Sequence, residues 1–156
     1  MSTNRIICIV DDDADITLLF HDILNSITGI TVRTFTDPIL ALQHFQVNEH
    51  AYVLVISDFK MSGLNGMEFL KKIKELNPSV RTILMTAFQI DGKVFLDYTK
   101  KKIINAFLQK PIGMHDLLKE VNTQLHSYEL QRRFPSWELD SSKYDLDSNV
   151  PFISYY

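Results

Sequence analysis

Apolar and amphipathic runs alternate along this chain. Ile6 to Val10 is a short unbroken apolar run that stops at Asp11-Asp12-Asp13. Such a run suits a strand buried on both faces, as in a parallel sheet. Ile16, Leu19, Phe20, Ile23, Leu24 and Ile27 then recur at three-to-four spacing, which predicts a helix with Gly29 as its stop. Thr31 to Phe35 is β-branched and alternating, hence a strand. Asp37-Pro38 is a cap followed by a helix-starting proline, with Leu40, Ala41 and Phe45 as the expected buried stripe.

The pattern continues to about His126. Tyr52 to Ile56 predicts a third strand ending at Ser57-Asp58. A loop with Gly63 and Gly66 as turn residues leads to a helix marked by Met67, Phe69, Leu70, Ile73 and Leu76, closed by Asn77-Pro78. Val80 to Met85 is the fourth strand, Asp91 to Lys102 a weaker helix, and Ile104 to Leu108 the fifth strand. Leu117, Leu118, Val121 and Leu125 give the last helix, with Asp116 near its start. Strands alternating with helices predict an α/β fold on a parallel sheet, with helices on both faces.

Composition changes this picture little. The chain has 156 residues, 46% of them apolar and 22% charged, with a formal charge of −3. These values fit one soluble domain and give no basic footprint for nucleic acid. The single cysteine, Cys8, excludes a disulfide framework and fits a reducing, cytoplasmic setting. Inside an apolar strand it reads as a small core residue. The start of the chain does not resemble a signal peptide, and no run approaches the ~18 apolar residues of a membrane span. The five histidines show no metal-ligand spacing. The expected domain therefore spans residues 1–126. Residues 127–156 form an acidic, aromatic tail too short for a second domain, which points to a stand-alone unit. Its aromatic residues, Phe134 and Trp137 to Tyr156, suit docking onto the domain or onto a second copy.

Polar residues cluster at the expected strand ends. The first strand ends in Asp11-Asp12-Asp13, the third in Asp58, the fourth in Thr86, and Lys110 follows the fifth. In open α/β sheets ligands bind outside the carboxyl ends of the strands, so these groups converge on one rim. Packed carboxylates repel, and they take up protons or hold a cation. All-oxygen donors suit Mg²⁺. A lysine opposite is a point charge for a phosphoryl group, and an aspartate can be a phosphoryl-accepting nucleophile. Asp13 and Asp15 read equally well as helix caps.

Val10-Asp11-Asp12-Asp13, Asp58-Phe59-Lys60-Met61 with Gly66, Met85-Thr86-Ala87 and Phe107-Leu108-Gln109-Lys110-Pro111 stand in an order that resembles the receiver domain of two-component response regulators. The resemblance covers about residues 4–126. It implies a doubly wound five-stranded sheet of order 2-1-3-4-5, and an Asp58 that accepts a phosphoryl group from a histidine kinase or phosphotransfer protein. It implies Mg²⁺ held by Asp12 and Asp58, by the backbone carbonyl of Lys60, and by Asp11 through water. Lys110, Thr86 and the N–H of Ala87 would hold phosphoryl oxygens, and Phe107 would move with Thr86 as the switch. Output would pass to a downstream protein target by contact, by phosphorelay or by homodimerisation through the output face or tail, without direct nucleic-acid or membrane contact. Lys60 and Phe88 occupy positions that tune hydrolysis in this family, which predicts slow self-dephosphorylation.

There are departures from the family pattern. Ser62 replaces the usual proline, and Lys100-Lys101-Lys102 replaces a small-residue helix end and reads as a solvated face. Asp13-Ala14-Asp15-Ile16-Thr17 also fits the Asp-x-Asp-x-Thr pattern of haloacid-dehalogenase-like phosphohydrolases. That pattern starts beyond the strand end, and neither a second acidic pair nor a cap domain accompanies it. A receiver-like module that no longer uses phosphate is the remaining alternative, although all the matched groups are present.

Overall fold

The computed structural model describes residues 4–87 and 89–135. The expected positions Phe88 and Trp137 to Tyr156 lie outside those residues. Five strands and five helices alternate: β1 (Arg5–Val10), α1 (Ala14–Leu24), β2 (Ile30–Phe35), α2 (Pro38–Asn48), β3 (Tyr52–Asp58), α3 (Gly66–Leu76), β4 (Arg81–Thr86), α4 (Gly92–Lys100), β5 (Ala106–Gln109) and α5 (Met114–Arg133). The strands form one parallel sheet of order β2-β1-β3-β4-β5, as expected.

Local chemistry starts the helices where the sequence places them. Asp13 and Asp37 accept from the backbone N–H groups of Asp15 and Ile39, and Pro38 opens α2. Asn65 and Asp91 cap α3 and α4 through the N–H groups of Glu68 and Lys93. Each cap satisfies a donor that has no partner inside its helix.

Two cores lie on opposite faces of the sheet. On one face α1 and α5 bring Phe20, Leu24, Leu117 and Val121 onto Ile7, Ile9, Leu54, Ile56 and Ile83. On the other, α2 and α3 bring Ala41, Phe45, Phe69, Leu70 and Ile73 onto Cys8, Val10, Val55 and Leu84. Cys8 is fully buried, and burial pushes its thiol pKa far up, so it stays protonated.

Several sequence expectations are corrected. Leu19 is 52% and Leu40 54% exposed. The buried stripes are Thr17, Phe20 and Leu24 on α1, and Pro38, Ala41 and Phe45 on α2. One residue is a rotation of about 100° on a helix, so Leu19 and Leu40 turn off these stripes. Thr17 tolerates burial because its hydroxyl donates to the Ala14 carbonyl at 2.8 Å. Leu76 lies at the exposed edge of α3. Ile103 and Ile104 are buried but precede β5, their N–H groups bonding to the Tyr98 carbonyl.

The last helix does not end near His126; it continues to Arg133. Long-range partners hold its final turns. Glu129 pairs with Arg5, and Arg81 bonds to Gln124 (2.8 Å) and to Gln131. Tyr128 packs against the core. No helix among the described residues is long and apolar enough to cross a membrane.

Candidate functional site at the carboxyl rim of the sheet

Strand register assembles the rim. Val10 lies opposite Ser57, Asp58 opposite Met85, and Thr86 opposite Gln109. Each chain is therefore about to leave the sheet at the same level. The next residues, Asp11 after β1 and Lys110 after β5, meet Asp58 and Thr86 at the ends of β3 and β4. Residues far apart in sequence become neighbours because parallel strands end together.

Asp11 is 1%, Asp58 7% and Thr86 1% exposed. Lys110 Nζ donates to Asp11 Oδ2 at 2.7 Å and lies 3.2 Å from Asp58 Oδ1. The other Asp11 oxygen accepts from the Asp13 N–H at 2.9 Å. Asp11 is thus fixed by both oxygens. The Lys110 N–H bonds to the Thr86 carbonyl at 2.8 Å, tying this loop to the end of β4. The Lys110–Pro111 peptide bond is cis.

The electrostatics follow from burial and like charge. Burial raises the Asp58 pKa above the usual carboxylate value and Asp11 adds to this, with Lys110 partly offsetting both. Burial pulls the Lys110 ammonium down, but Asp11 and Asp58 beside it outweigh that and hold its pKa above the ordinary value. One lysine serves two buried carboxylates, so the rim carries excess negative charge. Carboxylate oxygens of Asp11, Asp12 and Asp58 all lie within 4.8 Å of one another. Asp12, the outermost of the three, is exposed. A hard divalent cation fits this donor set, since all the side-chain ligands are oxygens and the charge needs neutralising.

Not every candidate joins the cluster. Asp13 turns away and caps α1, accepting from the Asp15 N–H at 2.9 Å. The Asp13-to-Thr17 motif is thus used for helix capping and a buried hydroxyl, which removes its appeal as a nucleophile site. Lys60 and Ala87 are exposed at the strand ends beside Asp58 and Thr86. Phe107 is half-buried, its ring set edge-on to Phe95 of α4 at 5.4 Å and 74°. Lys100, Lys101 and Lys102 are exposed, and Lys101 pairs with Asp97.

Sequence reasoning missed the role of Gly66. Gly63, at φ +86°, is a turn residue as expected. Gly66 instead starts α3 against the Asp58 backbone. A Cβ there would sit 2.1 Å from the Asp58 carbonyl oxygen and 2.9 Å from Leu84 Cδ1. Its N–H bonds to the Phe59 carbonyl at 2.7 Å, closing the loop that follows Asp58. The sequence signals were its place in the motif with Asp58 and a glycine at a helix start, where Asn65 already supplies the cap.

Residues 7–122 match the family model described as the response regulator receiver domain. Transcriptional regulatory protein ZraR of Escherichia coli O157:H7 is 34% identical over 150 residues, which is 96% of this chain and 32% of ZraR. DNA-binding transcriptional regulator NtrC of Escherichia coli (strain K12) is 25% identical over 146 residues, 94% of this chain and 30% of NtrC. The chain thus spans about a third of the length of these two relatives. Among solved structures, a response regulator receiver domain protein from Clostridium thermocellum superposes with a TM-score of 0.69 at 28% identity, covering 81% of this chain and 98% of that one. The family match takes in most of the chain, and the neighbour shares both the fold and the extent of the domain. The chain therefore belongs to the response regulator receiver domain family of two-component signalling.

Proposed function

We propose that Asp58 is the phosphoryl acceptor of this receiver, served by a histidine kinase or a phosphotransfer protein. The observation that carries this reading is Lys110 Nζ set between Asp11 and Asp58 at 2.7 and 3.2 Å, at a rim with excess negative charge. In the transfer, an Asp58 carboxylate oxygen forms a bond to phosphorus as the donor's bond to phosphorus breaks. The leaving group takes up the proton it needs. Lys110, Thr86 and the Ala87 N–H would receive the phosphoryl oxygens. Asp11, Asp12, Asp58 and the Lys60 carbonyl are the groups that would hold Mg²⁺. A bound Mg²⁺ supplies positive charge to the transferring phosphoryl group, which lowers the cost of bringing it to a carboxylate. Labelling by a small phosphodonor should therefore require Mg²⁺ and fall to background in excess chelator. Labelling unaffected by chelation would count against these ligands.

Phosphorylation shifts a conformational equilibrium only by interacting differently with its two states. A shift from 1:99 to 99:1 needs about 5.5 kcal/mol of such preference. Thr86 and Lys110 are the groups that supply it here, and Phe107 is the ring that responds. Thr86→Ala should still become phosphorylated yet, for the same fraction phosphorylated, give a much smaller change in the NMR resonances of Phe107 and Phe95. An undiminished response would remove Thr86 from the switch. The output is contact with a downstream protein, transfer along a phosphorelay, or self-association.

Lys60 and Phe88 are proposed to slow hydrolysis, Lys60 by contact with a phosphoryl oxygen and Phe88 by blocking the path of water. Each single change to Ala should shorten the phosphorylated lifetime several-fold. Lifetimes equal to wild type, followed by loss of label, would overturn this.

A further inference from the structure

One edge of the sheet lacks a partner among the described residues. β5 ends the strand order, with β4 as its neighbour. Unlike β1, β3 and β4, it holds no buried residue. The Asn105 N–H, just before β5, bonds to the Thr82 carbonyl of β4 at 3.0 Å. Backbone groups alternate along a strand, so the N–H and C=O groups of Ala106 and Leu108 point away from β4, toward the free edge. Such an edge is a template for one more strand.

Two cavities flank that edge. One, of about 350 Å³, is lined by Leu108, Ile112 and Glu120 on the α5 side. The other, of about 290 Å³, is lined by Ile90, Gly92 and Phe95 on the α4 side. Phe107 and Gln109 of β5 line both. Leu108 packs with the core under α5, and Phe107 with the core on the opposite face of the sheet. The cavities therefore lie on either side of β5. Side chains of an added strand alternate between the two faces, so they would enter the two cavities in turn.

The chain carries a segment with this pattern. Val150-Pro151-Phe152-Ile153, beyond the described residues, is an apolar run with side chains for both faces of a strand. With Val150 and Phe152 bonded to β5, Pro151 directs its missing N–H outward, which a new edge strand permits. Phe152 then enters one cavity and Ile153 the other. Residues 136–149 hold Glu138, Asp140, Asp145 and Asp147 and no apolar run, a composition suited to a connection. α5 has 20 residues, about 30 Å of helix. The chain from Phe134 to Val150 reaches roughly 50 Å when extended, enough to return along α5 to β5. Such a tether holds the segment at an effective concentration on the order of millimolar. We propose that residues 150–153 add to the free edge of β5 of the same chain as a sixth strand.

The test is amide hydrogen exchange of the full chain, read by NMR at single residues. The Ala106 and Leu108 amides are expected to exchange several-fold more slowly in wild type than in a Phe152→Ser, Ile153→Ser double variant. The amides of β1 and β3 should exchange equally in both. In wild type, nuclear Overhauser effects should join the Phe152 ring to residues lining one of the cavities. A mixture of labelled and unlabelled chains should show those contacts within a chain and not between chains. Equal exchange of Ala106 and Leu108 in the two proteins, or contacts only between chains, would overturn the proposal. If the double variant does not fold, the wild-type contacts decide it.

Discussion

Asp58→Asn is expected to reduce acid-labile labelling by a phosphodonor to background, a fall of at least about a thousandfold, because the bond-forming oxygen is gone. The same change is expected to raise the melting temperature at neutral pH. Burial first, and Asp11 second, raise the folded-state pKa of Asp58 above its ordinary value of 3.8. Between the ordinary and the raised value the folded chain binds more protons than the unfolded one. This group's contribution to stability therefore falls as pH rises through that window, and at neutral pH the ionised form opposes folding. Asparagine removes the charge and leaves Lys110 paired with Asp11 at 2.7 Å. The advantage of the variant over wild type should shrink as pH falls toward the ordinary carboxylate value. Thermal unfolding followed by circular dichroism over a pH series measures this. A variant less stable than wild type at neutral pH would contradict the electrostatic part of the account.

The second large effect is expected at Gly66. The added methyl of Gly66→Ala would meet the Asp58 carbonyl oxygen at 2.1 Å. Backbone cannot step aside as a flexible side chain does, so either α3 or the end of β3 must shift. Forced overpacking costs about 1–3 kcal/mol and sometimes more, and a backbone clash belongs at the upper end. For a chain of this size about 3 kcal/mol lowers the melting temperature by roughly 10 °C. The displaced peptide carries the Asp58 carboxylate with it, so the rate of phosphoryl transfer should fall too. Asn65→Ala is the contrast, since it removes the α3 cap and costs about 1 kcal/mol without pressing on Asp58. A Gly66→Ala variant with wild-type stability and wild-type labelling rate would show that the loop has slack the geometry does not suggest.

Much of this fold is legible in the sequence because its signals are local. Buried parallel strands read as unbroken apolar runs, and Ile6 to Val10 and Tyr52 to Ile56 are such runs. The rim is legible for a related reason: polar residues that end apolar runs share one level of a parallel sheet. What failed depends on distant partners. Leu19 and Leu40 look like core leucines until the α1 and α2 stripes are set by what they face. The reach of α5 to Arg133 rests on Arg5 and Arg81, distant in sequence from their partners Glu129, Gln124 and Gln131. Three successive aspartates are indistinguishable by type. Yet Asp11 is buried against Lys110, Asp12 is exposed beside it, and Asp13 caps α1. Gly66 is the sharpest case, since its constraint is a contact with the backbone of Asp58 and leaves no trace in residue type beyond the glycine itself.

The most direct test of the central claim is the position of the phosphoryl group. The chain would be phosphorylated by a small phosphodonor with Mg²⁺, reduced with borohydride to convert the aspartyl phosphate to homoserine, and mapped by peptide mass spectrometry. Homoserine is expected at position 58, with unmodified aspartate at positions 11, 12 and 13. Reduction at position 13, or no modification of folded protein at any aspartate, would contradict it.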